Sequence, residues 1–160
     1  KIGIQIKDQF FDELIVNIDD INKADRLLVP ASKSLNDLPS PPDNESHNLD
    51  YFLCYPVKLP QGTEFPKGIQ VTLADQFIDL EGVGSRLFDL GKPKRFCNPV
   101  DKNDEGIKNP EAHLTCYEVK RPKGDSKHEK TVVFLNDQFG EANFWETKKE
   151  QELCVPSSLN

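Results

Sequence analysis

Val71-Thr72-Leu73-Ala74-Asp75-Gln76-Phe77 aligns without gaps on Ile4-Gln5-Ile6-Lys7-Asp8-Gln9-Phe10 and on Val133-Phe134-Leu135-Asn136-Asp137-Gln138-Phe139. Each run alternates apolar and polar residues at period two, the pattern of a strand with one face buried and the other solvated. Ile2, Ile4, Ile6 and Phe10 share one face; Ile69, Val71, Leu73 and Phe77 share the equivalent face in the second run, and Val133, Leu135 and Phe139 in the third. Because self-similarity of this kind sets the architecture, the rest of the chain is read against these three runs.

Downstream of each run lies a related ending: Leu27-Leu28-Val29-Pro30-Ala31-Ser32, then Phe96-Cys97-Asn98-Pro99, then Leu153-Cys154-Val155-Pro156-Ser157. Upstream of the second and third lie Phe52-Leu53-Cys54-Tyr55-Pro56-Val57-Lys58 and Leu114-Thr115-Cys116-Tyr117-Glu118-Val119-Lys120, whereas the chain opens at Lys1 directly in the first run. A full unit therefore reads as four strands: A with Cys-Tyr, B with Asp-Gln-Phe, C after it, and D ending in Cys-x-Pro. The C strands fall at 14–18, 86–90 and 142–146. Proline after each D cysteine suits a strand end, since it donates nothing to the ladder.

The expected organisation is an incomplete first repeat over 1–37, a Pro-, Ser- and Asn-rich connection over 38–50, a second repeat over 51–108 and a third over 109–160. Residues 98–111 form a second irregular junction, and the charged, Gly-containing stretch 122–130 reads as a hairpin loop. Helical periodicity is absent apart from one possible turn over 19–26. The fold class is all-β, with antiparallel strands in tandem sandwich-like repeats stapled by disulfides; a three-fold, trefoil-like barrel is the alternative.

Pairing Cys54 with Cys97 and Cys116 with Cys154 keeps each bridge inside one repeat and equalises the loops. Leu28 stands in the place of Cys97 and Cys154 in the one repeat that has no upstream cysteine. An accidental truncation would have left an orphan thiol there. Zinc is disfavoured, because no Cys-x2-4-Cys pair occurs. Disulfides point to an oxidising compartment. The absence of methionine and the start at Lys1 fit a chain whose leader has been removed, so the expected location is secreted, extracellular or at the cell surface.

With 20 Lys and Arg against 27 Asp and Glu, the net charge of −7 argues against nucleic acid, which demands clustered cations. The short basic run 92–95 reads as a solvated turn. No stretch reaches the twenty apolar residues of a membrane span. His47, His113 and His128 have no metal or triad spacing, and neither a Gly-x-Ser-x-Gly elbow nor a phosphate loop occurs, so the chain is read as a non-enzyme. The Asp-Gln-Phe tripeptide itself is structural: Phe fills the core and Asp accepts backbone N–H groups at the turn after strand B.

Three further features are candidate sites. Asp101, Asn103, Asp104 and Glu105 offer closely spaced hard oxygens of the kind calcium takes, without an EF-hand's glycine or distal glutamate. No cofactor is expected other than calcium at these residues. Asn44-Glu45-Ser46 is a glycosylation sequon in the connection. A repeat lacking strand A leaves an edge that a neighbour's strand could complete, or Ile2, Ile4, Ile6 and Phe10 could themselves insert into a neighbour. The expected function is thus a structural subunit of an extracellular filament or surface assembly, a homo-oligomer or polymer joined head to tail. The alternative is a monomeric secreted adhesin or glycan-binding module using Tyr51, Tyr55, Tyr117 and Trp145.

His113-Leu114-Thr115-Cys116-Tyr117, followed by Asp137-Gln138-Phe139 and Leu153-Cys154-Val155-Pro156-Ser157, resembles a family of secreted prokaryotic proteins built from tandem repeats of unknown function. The resemblance covers nearly the whole chain, with the third repeat matching best. In the second, Tyr51 stands where His113 does and Asn98-Pro99 departs from Val155-Pro156-Ser157; the first lacks strand A and both cysteines. It implies an extracellular or surface location and a β-repeat scaffold, and carries over no catalytic residue.

Overall fold

Eleven strands and one short helix follow the alternating runs. They are β1 (Ile2–Asp8), β2 (Leu14–Ile18), β3 (Arg26–Leu28), β4 (Ala31–Ser34), β5 (Tyr51–Lys58), β6 (Gln70–Leu73), α1 (Gln76–Leu80), β7 (Arg86–Val100), β8 (His113–Lys120), β9 (Val132–Asp137), β10 (Gly140–Glu146) and β11 (Glu152–Leu159). The computed structural model describes the backbone of residues 1–160 and the side chains of all but residues 141–143. Every strand pairing is antiparallel. Among the described residues, no helix is long and apolar enough to cross a membrane.

The Asp-Gln-Phe aspartates bind the turn N–H groups as expected, but the phenylalanines do not all fill the core: Phe10 packs against it, whereas Phe139 is 66% exposed. Asp8 Oδ1 accepts from the N–H groups of Phe10 (2.8 Å) and Phe11 (3.1 Å), Asp75 Oδ1 from Phe77 (2.9 Å) and Ile78 (2.8 Å), and Asp137 Oδ1 from Phe139 (2.7 Å). At Asp75 this bond does more than close a turn, because it caps the single helical turn α1 and so directs Ile78 into the core. The one helical turn thus lies at 76–80, whereas residues 19–26 lead irregularly into β3.

Eight strands form one sheet in the order β3-β5-β2-β1-β11-β8-β7-β6, with β5 also pairing β7. That last pairing closes a hydrogen-bonded circuit through β5, β2, β1, β11, β8 and β7. The expected row of separately packed sandwiches is therefore replaced by one ladder that interleaves strands from 1–37, 51–108 and 109–160, and closure brings the wall nearer to the barrel alternative. The reason lies in strand A, which pairs on one side with the D strand of its own segment and on the other with the D strand of the preceding one. A three-stranded sheet, β10-β9-β4, stands beside it.

Ile6, Val16, Phe88, Phe96 and Tyr117 fill the centre of the main core. Phe10 meets the Tyr117 ring edge-on at 5.5 Å, and the Tyr117 hydroxyl donates to Asp8. Burial, reinforced by that carboxylate, pushes the Tyr117 hydroxyl far above its ordinary pKa. The disulfides join Cys54 to Cys97 and Cys116 to Cys154, each between directly opposed residues of adjacent strands. Cys97 Sγ lies 3.8 Å from Cys116 Sγ, so the two bridges stack into one cluster, against which Leu28, Phe52 and Leu114 pack.

Candidate functional site

The same register recurs wherever the aligned segments meet. Arg26, Leu27 and Leu28 of β3 face Cys54, Leu53 and Phe52; Arg95, Phe96 and Cys97 of β7 face Cys116, Thr115 and Leu114. Ile18 of β2 faces Val57 as Leu90 of β7 faces Val119. Within the hairpins, Ile4 faces Val16, Val71 faces Phe88 and Val133 faces Trp145.

One place in this pattern is empty. Residues 95–97 have β8 on one side and β5 on the other. Their counterparts 26–28 pair with β5 alone, and 152–156 of β11 pair with β8 alone, β1 reaching only 157–159. A strand placed as β5 and β8 are would lie between those two edges. They are bridged instead by an ion pair, with Arg26 Nη1 3.0 Å from Glu152 Oε2.

Burial records the vacancy. Phe96 is 1% exposed, whereas its counterpart Leu27 is 43% exposed, and Leu28, Leu153 and Cys154 are half-buried. Strand A also covers the C strand that precedes it, as β5 does for β2 and β8 for β7. β10 has no such cover, and its hairpin turns away to pair β9 with β4, Ala31 facing Asp137. Val16 and Phe88 are 0% exposed; Trp145, at the same hairpin position, is 59% exposed beside an exposed Phe144. Burying a ring of that size is worth about 2–3 kcal/mol, so the third hairpin forgoes a contact that the other two make.

Aligned positions 26, 95 and 152 converge in one charge cluster. Glu152 accepts from Arg26 and from Arg95, and Arg95 also holds Asp25, Nη2 to Oδ2 2.6 Å. The Arg95 guanidinium keeps the Asp25 carboxyl below the ordinary range. Next to it, Arg121 Nη2 lies 2.8 Å from Glu81 Oε1 and 2.6 Å from Glu150 Oε1, and Arg86 also pairs with Glu81. Hydrogen bonding from Arg121, then from Arg86, outweighs burial and lowers the Glu81 carboxyl to about 2. Glu81, His128 and Glu150 each bring a ligand atom within 4.8 Å of the others, but Arg121 already supplies their counter-charge. Both clusters border a groove of about 1030 Å³.

The residues expected from sequence fall in different places. Ile6 is fully buried, Ile4 and Phe10 pack against the same core, and only Ile2 is exposed, so this strand is held within its own chain between β2 and β11. Asn44 is exposed in a turn whose first residue, Asp43, accepts from the Glu45 N–H at 3.1 Å, leaving the sequon accessible. Asp101, Asn103, Asp104 and Glu105, the calcium candidates, lie in the turn region that follows β7. The carboxylates of Asp101, Asp104 and Glu105 do not gather within 4.8 Å of one another. Asp101 instead caps the turn at the Gly106 N–H (3.0 Å), and Glu105 is taken by Lys102 and by Gln138 Nε2 (2.9 Å). Tyr51 and Tyr117 are buried and Tyr55 is partly so, leaving Trp145 as the single exposed member of the aromatic platform proposed for glycan binding.

Sequence reasoning passed over Arg26, Glu152, Lys148 and Lys149. A signal was present, since the D strands carry Arg26, Arg95 and Glu152 at one aligned position, two cations and one anion. Comparison with known family models, curated proteins and solved structures finds no match.

Proposed function

We propose that this chain is a structural subunit of an extracellular filament or surface assembly, completed by a β-strand from a neighbouring copy. The observation that carries this reading is the pair of one-sided ladder edges, 26–28 of β3 and 152–156 of β11, at the position that β5 and β8 fill elsewhere. Unpaired N–H and C=O groups along such an edge recruit an extended segment, and alternate side chains of the incoming strand would cover Leu27, Leu28 and Leu153. Burial of Ile6 in its own core supports the acceptor role for the first segment over donation of β1. A contact of this kind is head to tail and does not close on itself, so repetition extends a filament. Two disulfides fit an oxidising, extracytoplasmic setting.

Sedimentation velocity over a concentration series tests the reading. The expected result is growth in multiples of the 18.1 kDa chain, with collapse to monomer on adding a synthetic peptide of residues 114–120 carrying Cys116→Ser. Docking of the third hairpin against the bound strand would bury Trp145, the chain's single tryptophan, and shift its fluorescence to the blue. A chain that stays monomeric at millimolar concentration and ignores the peptide sinks the proposal.

A further inference from the structure

The groove beside the charge clusters has the opposite sign to the molecule. Nine Lys and Arg and four Asp and Glu line it, while the chain as a whole carries −7. Segments far apart in sequence supply the cations: Lys94 on β7, Lys120 on β8, Lys127 in the loop after β8, and Lys148 and Lys149 between β10 and β11. The guanidiniums are committed, Arg26 and Arg95 to Glu152 and Asp25, and Arg121 to Glu81 and Glu150. Lys94 and Lys120 share Glu118, at 3.8 and 3.1 Å. Lys127, Lys148 and Lys149 are exposed and make no ion pair among the described residues.

We infer that this groove binds an anionic polysaccharide, one carrying carboxylate or sulfate groups along its length. The uncommitted charges are ammonium groups, compact point charges on flexible stems, which suit repeated anions at variable spacing better than planar, bidentate recognition. Among the described residues the lining has no Phe, Tyr or Trp on which nucleobases could stack, which disfavours single-stranded nucleic acid. Among the described residues its apolar side chains are only Val119 and Pro122, a poor anchor for the hydrophobic residues of an acidic peptide. At physiological ionic strength the Debye length is about 8 Å, so the acidic remainder of the surface is screened from an anion already seated in the groove.

Titrations at 50 mM and 300 mM salt, run at protein concentrations where the chain is monomeric, separate this inference from the assembly proposal. The probes are polygalacturonate for carboxylate, dextran sulfate for sulfate, neutral dextran, and poly-glutamate for an acidic peptide. Binding of at least one charged polysaccharide, weakening with salt, and silence from neutral dextran are expected. The variant Lys127→Ala/Lys148→Ala/Lys149→Ala should weaken it by about tenfold. The control variant Lys1→Ala/Lys23→Ala/Lys67→Ala should bind like the parent. All six side chains are exposed, so both variants should keep the parent's thermal midpoint. Equal loss in both variants, poly-glutamate binding as tightly as the polysaccharides, or no binding at 50 mM salt overturns the inference.

Discussion

Arg26 reaches Glu152 across a gap where the ladder lacks a strand, closing with one ion pair, Nη1 to Oε2 3.0 Å, a wall that is hydrogen-bonded elsewhere. The pair joins the first segment to the last over 126 residues of sequence. Arg95 binds the same carboxylate, so Glu152 joins two guanidiniums at equivalent positions, with Asp25 as a second anion on Arg95.

Glu152→Ala should therefore cost about 1–2 kcal/mol, somewhat more than an exposed ion pair, because the half-buried Arg95 and the exposed Arg26 lose the carboxylate they share while Arg95 keeps Asp25. Urea unfolding, with the midpoint falling at constant slope, measures it.

Leu28 tests the empty position directly. In the aligned strands the residue at this position is a cysteine opposite the cysteine of strand A, Cys54 facing Cys97 and Cys116 facing Cys154. A Leu28→Cys variant mixed with a peptide of residues 114–120, its cysteine retained, should form a mixed disulfide at position 28 in a glutathione buffer. Leu27→Cys, whose side chain leaves the opposite face of the strand, should not. Peptide mapping by mass spectrometry reads the outcome, and equal labelling at both positions would mean that no strand docks in register.

Acid should weaken the Arg121 cluster. The Glu81 carboxyl is held at about 2, below its ordinary value of 4.5, so its contribution is complete above pH 4.5 and is lost as the pH falls toward 2. The expected loss over that window is about 1–3 kcal/mol. A Glu81→Gln variant should flatten the corresponding part of the stability–pH curve, while destabilising the protein at pH 7.

Tyr117→Phe should cost about 1.5–3 kcal/mol, because a buried hydroxyl bound to a carboxylate is removed. Asp8→Ala should cost more than that, since it removes both the Tyr117 partner and the acceptor for the Phe10 and Phe11 N–H groups. Thermal unfolding of the two variants and their double mutant gives the coupling.

Reduction should destabilise the whole wall cooperatively. Each bridge closes a loop, of 43 and 38 residues, worth about 4 kcal/mol in the chain-entropy model. Hydrogen exchange after reduction should show β5, β7, β8 and β11 losing protection together, since their sulfurs share one cluster.

What the sequence determined by itself was local. Period-two alternation set which face of β1 and β2 is buried but failed at the end of the third run, where Asn136 is buried and Phe139 exposed; the Asp-Gln-Phe aspartates found the turn N–H groups they require, and the matched spacing of the four cysteines named the partners that the structure joins. Even Leu28 faces Phe52 as its aligned counterpart Cys97 faces Leu114. Tertiary structure alone decided which strand lies beside which. The faces of an alternating strand are the same whether its neighbour is ten residues away or a hundred, so the pattern does not distinguish a row of separate sandwiches from one interleaved ladder. Nor does it reveal that the third hairpin pairs with β4 and leaves Trp145 outside, or that lysines from three distant segments line one groove. Those outcomes depend on long-range pairing, which leaves 26–28 and 152–156 each with a partner on one side.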